Sequence, residues 1–139
     1  MLKLGMGNRN YRESLIEVEK ALEELRERSK KIPIIVEGER DKRSLRSLEV
    51  MGKVIVLNKG MAIPDFCDRV LSKYEEIIIL TDWDKKGGKL CSLITKCLSG
   101  RTRCNIEIRK RFAKNTNVKN VEELVSWLLI ARKKLGLEQ

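Results

Sequence analysis

The sequence predicts an α/β protein: a mainly parallel, four-stranded sheet with helices on both faces, plus one N-terminal and one C-terminal helix. Three observations carry that expectation. Short apolar runs rich in β-branched residues alternate with stretches of helical period. The first three runs are apolar at every position, as strands covered on both faces are. Two of those runs end abruptly in an acidic turn that contains glycine.

The elements follow in order. From about Asn10 to Lys31, Leu15, Val18, Leu22 and Leu25 recur at three- and four-residue spacing, one stripe of a helix whose other faces carry six glutamates among lysines and arginines. Ile32-Pro33-Ile34-Ile35-Val36 reads as the first strand and ends in Glu37-Gly38-Glu39-Arg40-Asp41. A helix with Leu45, Leu48 and Met51 in phase follows, stopped by Gly52. Val54 to Leu57 is the second strand, Asn58-Lys59-Gly60 its turn, and Ile63 to Ser72 a helix with Pro64 in its first turn. Ile77 to Leu80 is the third strand, ending in Thr81-Asp82-Trp83-Asp84-Lys85-Lys86-Gly87-Gly88, with a helix from about Lys89 to Leu98.

Cys104 to Ile108 alternates apolar and polar residues and reads as a strand near an edge. Arg109 to Lys119 is basic and polar, and a loop is expected there. Val121, Leu124, Val125, Leu128 and Leu129 mark the last helix, with Asn120 and Glu123 at the N-cap and N3 positions. The expected organisation is a single globular unit: an N-terminal helical extension over 1–31, an α/β core over 32–110, and a basic loop and C-terminal helix over 111–139.

Composition narrows the function. A length of 139 residues suits one domain. A formal charge of +10 and a pI near 9.6 favour a polyanionic partner, chiefly nucleic acid. There is no histidine, and Cys67, Cys91, Cys97 and Cys104 form no C-x-x-C pair, which argues against a zinc site, a histidine-based triad and a histidine base. No apolar run approaches the ~18 residues of a membrane span, and the signal-peptide pattern is missing, so no membrane association and a cytoplasmic location are expected.

Ligands of open α/β sheets bind beyond the carboxyl ends of the strands. Two acidic groups fall there: Glu37 with Glu39 and Asp41, and Asp82 with Asp84. If the second stretch stays extended, alternation points Asp82 and Asp84 to one side. Carboxylates facing one way repel, and a divalent cation among them relieves that repulsion. Hard oxygen donors without Cys or His select Mg²⁺, with Mn²⁺ as a substitute, as one or two ions. Gly38 and Gly87 would allow sharp turns and close approach of a phosphate. The plainer reading is that these are turn and helix-cap acids.

These residues resemble the Toprim family. Val36-Glu37-Gly38-Glu39-Arg40-Asp41 looks like its first motif, and Ile79-Leu80-Thr81-Asp82-Trp83-Asp84-Lys85-Lys86-Gly87 like its second. The resemblance spans about Ile32 to Ile108. The family includes bacterial-type primases, type IA and type II topoisomerases, overcoming-lysogenisation-type nucleases, 5S ribosomal RNA maturases and recombination-repair proteins. It implies a Rossmann-like, mainly parallel four-stranded sheet. It also implies that Glu37 coordinates metal and does acid or base work, that Asp82 and Asp84 bind Mg²⁺, and that Gly38, Asp41 and Gly87 support them. The chain departs from the larger members. Its two tyrosines, Tyr11 and Tyr74, bring no nucleophile domain, and no zinc module is evident. It looks like the small stand-alone archaeal or bacterial Toprim proteins.

Basic residues surround the expected site. Arg40, Lys42 and Arg43 follow the first acid, Lys59 the second strand, and Lys85, Lys86 and Lys89 the Asp-x-Asp. Arg109, Lys110 and Arg111 belong to the stretch 101–119, which carries seven Lys or Arg against Glu107 alone. Arg40, Lys59, Lys85, Lys86, Arg109, Lys110 and Arg111 are the candidate phosphate contacts.

The leading expectation is Mg²⁺-dependent work on nucleic-acid phosphodiesters, as a nuclease or in DNA or RNA processing. A non-catalytic, nucleic-acid-binding accessory with a Mg²⁺ site is the alternative. A haloacid-dehalogenase-type phosphohydrolase, which also places Asp-x-Asp after a strand, is a third. DNA and RNA both fit, and so does a partner protein or a second copy of the chain at the site.

Overall fold

The computed structural model describes residues 7–57 and 60–136, with side chains from residue 11 onward within those ranges. Six α-helices and four strands alternate along the chain: α1 (Gly7–Arg28), β1 (Ile34–Val36), α2 (Glu39–Ser47), β2 (Val54–Val56), α3 (Ile63–Arg69), β3 (Glu76–Ile79), α4 (Lys85–Cys97), β4 (Arg103–Asn105), α5 (Glu107–Asn115) and α6 (Val121–Lys134). A 3-10 turn, Leu71–Lys73, follows α3. The sheet order is β2-β1-β3-β4 and every pairing is parallel. The α/β class and the four-stranded sheet expected from the sequence are therefore observed.

Alternation along the strands divides the core in two. Ile34, Val36, Ile78 and Leu80 pack under α1, α2, α5 and α6 with Leu22, Leu45, Phe112 and Leu128. Ile35, Ile77 and Ile79 face the other way and pack under α3 and α4 with Phe66, Cys67, Cys91 and Ile94. Both faces are covered, which is why the first and third strands are apolar at successive positions.

The apolar stripe of α1 is as expected: Leu15, Val18, Leu22 and Leu25 are all buried. Burying each stabilises by about 1.5–3 kcal/mol as an upper estimate. The exposed pairs along that helix, such as Glu23–Arg26 and Glu27–Lys30, contribute about 0.2–1 kcal/mol each at most. Two longer-range pairs fix its orientation instead: Arg111 of α5 to Glu24 at 2.7 Å, and Arg132 of α6 to Glu19 at 2.6 Å.

Several local expectations change. The strand expected over Cys104–Ile108 is only Arg103–Asn105, and Glu107 and Ile108 already belong to α5. Helix α2 ends at Ser47, and Met51, expected on its apolar stripe, is exposed. The segment expected as a basic loop is mostly helix α5, because Ile108 and Phe112, four apart, bury one side of it while the cations face outward. Helix α4 starts at Lys85, four residues earlier than read, because Asp84 caps it. On α6, Trp127 and Ala131 replace Leu129 on the buried face, and Leu129 and Ile130 stay exposed. Among the described residues, no helix is long and apolar enough to cross a membrane.

Gly52 shows how tightly α1 meets the turn before β2: a Cβ there would lie 2.0 Å from the Ser29 carbonyl oxygen. Gly52→Ala therefore forces backbone apart and is expected to lower stability by about 1–3 kcal/mol. Gly38→Ala, whose Cβ would meet nothing within 4 Å, is expected to change it far less. Urea unfolding of the two variants checks the contrast.

Candidate functional site

The chain leaves β1 toward β2 on one side, then crosses back to place β3 on the other side of β1. The carboxyl ends of β1 and β3 thus flank the point where the winding direction changes, the usual ligand crevice of such sheets. Glu37 follows β1 directly. Thr81 to Asp84 link the end of β3 to α4. The Glu37 carboxylate closes the gap by accepting the backbone N–H of Asp82 at 2.9 Å. Two segments forty-five residues apart in sequence are thereby brought into contact.

The loop after β3 is held from several sides. Thr81, fully buried, donates its hydroxyl to the Gly87 carbonyl at 2.9 Å. Asp84 caps α4 by accepting the Gly87 N–H at 2.7 Å. A Cβ at Gly87 would lie 1.8 Å from the Asp82 carbonyl oxygen, so only glycine fits there. From α5, Arg109 donates to the carbonyls of Thr81 and Asp82 at 3.0 and 2.7 Å. The backbone N–H of Trp83 donates to the Lys119 carbonyl at 2.7 Å, and the Trp83 ring stacks at a tilt on Phe112. Its ring therefore packs inward, and its indole nitrogen is buried without a hydrogen-bond partner among the described residues.

The electrostatics are those of a crowded acidic edge. Burial, then the charges of Glu37, Asp41, Asp84 and Glu123, push Asp82 up to about 7. Asp41, buried in the first turn of α2, is also raised, first by burial and then by Glu37 and Glu122, against the lowering effect of the Gly38 N–H it accepts at 3.3 Å. Among the described residues, none of Glu37, Asp41, Asp82 and Asp84 forms an ion pair. In a chain of formal charge +10, that is a local deficit of counter-charge.

The expected site residues divide accordingly. Glu37, Asp82 and Asp84 come to one edge, with Asp41 behind them and Gly87 shaping the loop. No three acids among the described residues are yet gathered into a metal-holding group. Glu37 faces the Asp82 amide and Asp84 caps its helix. In charge and donor type the set fits a hard divalent cation: all-oxygen, uncompensated, and with the Asp82 carboxylate free of hydrogen bonds among the described residues. Gly38 is extended, with open space where a side chain would stand. Arg40, Lys85, Lys86 and Lys110 are exposed. Arg109 and Arg111 are engaged within the protein, on the loop carbonyls and on Glu24. Lys59 lies outside the described residues.

Sequence reasoning missed Glu122 and Glu123. The N-terminus of α6 reaches the acidic edge because Trp83 bonds to Lys119, and Glu123 in turn accepts the Lys119 N–H at 2.9 Å. Nothing in the spacing signals that docking. The helix start was visible, and Asn120 does cap it by accepting the Glu123 N–H, but its place in space was not.

The model of the Toprim domain matches residues 32–115, and the chain belongs to the Toprim family. Toprim membership suggests a metal-dependent role in nucleic-acid processing. The chain is similar to a UPF0292 protein of Thermoplasma volcanium, 40% identical over 100 residues that cover 71% of this chain and 84% of that one. It is also similar to UPF0292 proteins of Pyrococcus furiosus (37% identical over 116 residues, 82% and 86% covered) and Methanocaldococcus jannaschii (35% over 121 residues, 85% and 92%). A solved structure of an Aquifex aeolicus protein superposes with a TM-score of 0.64 at 28% identity, over 76% of this chain and 95% of that one.

The raised Asp82 fixes the sign of a pH effect. Between its ordinary 3.8 and about 7, the folded chain holds a proton that the unfolded chain has lost. Stability from this group therefore falls as pH rises through that window, and the penalty is complete above it. In metal-free buffer the urea midpoint is expected to drop between about pH 4 and pH 7. Asp82→Asn should flatten that drop and stabilise the protein at the higher pH.

Proposed function

We propose that the acidic edge acts on nucleic-acid phosphodiesters with the help of a divalent cation, Mg²⁺ by donor preference. One observation carries this reading: acids from the end of β1, from α2 and from the β3–α4 loop lie along the same edge at the switch point, and none of them forms an ion pair among the described residues. Turn and cap duties alone do not account for Asp82, which caps nothing and whose charge is disfavoured where it stands.

Glu37, Asp82 and Asp84 are the residues that would hold the ion. When bound, it would neutralise phosphate charge and polarise the bond under attack. The chain's own groups do the rest. Arg109 fixes the backbone that carries Asp82. Gly87 lets the loop close tightly enough to keep Asp82 and Asp84 at the sheet edge. Lys85 and Lys86 project from the start of α4, where cations oppose the helix dipole and two glycines weaken the helix by about 1 kcal/mol each. That local cost is the kind found where sequence serves a site, and it suits phosphate recognition. Glu37, once released from the Asp82 amide, is the group placed to carry a proton.

A second reading has its own observation. Glu37 is committed to a backbone amide and the acids are not gathered, which suits a non-catalytic binding accessory. The two readings part on turnover. Labelled single- and double-stranded DNA and RNA are incubated with the full chain in Mg²⁺, Mn²⁺ or EDTA. Cleavage in divalent metal, lost in EDTA and reduced about 100-fold or more by Glu37→Gln and by Asp82→Asn, is expected. Binding without turnover would favour the accessory, and equal cleavage by wild type and both variants would remove the acidic edge from the reaction.

A further inference from the structure

We propose that the hollow between α2 and α6 is a phosphate subsite, which holds one phosphate of a nucleic-acid strand beside the acidic edge. It is a shallow, open hollow of about 350 Å³, lined by Arg40, Arg43 and Ser44 of α2 and by Glu122 and Ser126 of α6. Arg40 and Arg43 are three residues apart on one helix, so both guanidinium groups can reach the same point. Most described arginines are spent inside the protein: Arg46, for example, donates to the carbonyls of Val50 and Gly52, and Arg132 holds Glu19. Arg40 and Arg43 hold no partner among the described residues, although they line a concave space.

The chemistry of the lining matches a phosphate group. Two guanidinium forks suit its oxygens in pairs. The hydroxyls of Ser44 and Ser126 add neutral donors from opposite walls. Glu122 is the one acid, and two arginines against it leave the lining net positive. The same Glu122 acts on Asp41, which also feels Glu37, so the hollow adjoins the acidic edge. Its second wall lies on α6, beyond the matched residues 32–115.

The inference rests on the reading of the acidic edge only for what the strand does there; binding is read without metal. The full chain is titrated in EDTA against a fluorescein-labelled single strand of about 12 nucleotides, within the span of single-strand sites. The oligonucleotide carries either a 5′-phosphate or a 5′-hydroxyl, and salt is varied. Arg40→Ala with Arg43→Ala is expected to weaken binding about tenfold and to reduce the salt slope by about 0.7, one single-strand phosphate shared by both.

Ser126→Trp, which fills the hollow without changing charge, should weaken binding too. Arg12→Ala with Arg69→Ala, which removes the same charge elsewhere, should keep affinity within about twofold and serves as the charge control. Equal loss on both oligonucleotides assigns an internal phosphate; loss confined to the 5′-phosphorylated strand assigns a terminal one. Absence of binding by wild type, full affinity of the Arg40/Arg43 or Ser126 variant, or an equal loss in the Arg12/Arg69 control would overturn the proposal. Failure of metal-dependent cleavage leaves this result intact, so the two readings fall separately.

Discussion

The bond from the Asp82 amide to the Glu37 carboxylate is the constraint around which the rest is organised. Parallel strands β1 and β3 are neighbours only because the chain first turns away to β2 and then crosses back. That winding puts two acidic turns at the same edge. Like charges so placed would part if nothing held them. The structure holds them with backbone: Glu37 on Asp82, Asp84 on Gly87, Asp41 on Gly38. These amides satisfy the carboxylates as hydrogen-bond acceptors without supplying a whole compensating charge. Asp82, which receives no such bond, shows the remaining imbalance as a carboxyl displaced toward neutrality.

Much of the fold was legible in the sequence because two periodicities are clean. The strand Ile34-Ile35-Val36 is apolar at every position, and burial on both faces is the only arrangement in which that is favourable. The α1 stripe repeats at helical spacing without interruption. Where the reading slipped, two signals competed. The stretch 109–115 carries four cations, and their polarity masked the Ile108–Phe112 pair that makes it a helix. Leu129 looked like core by spacing, but Trp127 and Ala131 occupy that face of α6.

The candidate site was legible in part for a similar reason. Glu37, Asp82 and Asp84 end apolar strands, and strand ends of a parallel sheet are fixed in space by topology. Glu122 and Glu123 are fixed by tertiary docking of α6 onto the Trp83 backbone, which no local pattern encodes. Arg109 and Arg111 were visible as charges, but charge says nothing about whether a guanidinium faces solvent or a carbonyl. In place, one braces the Asp82 loop and the other pins α5 to α1. What remains free on the surface near the edge is a smaller set, Arg40, Arg43, Lys85, Lys86 and Lys110, and it lies on two sides of the acids.

The account stands on a divalent ion joining Glu37 to the aspartates, and a crystal grown in Mn²⁺ tests that most directly through the metal's anomalous scattering. The account predicts a peak bonded to the carboxylates of Glu37 and of Asp82 or Asp84, with the Asp82 amide released by Glu37. An edge without that peak, with Glu37 still on the amide, would contradict it.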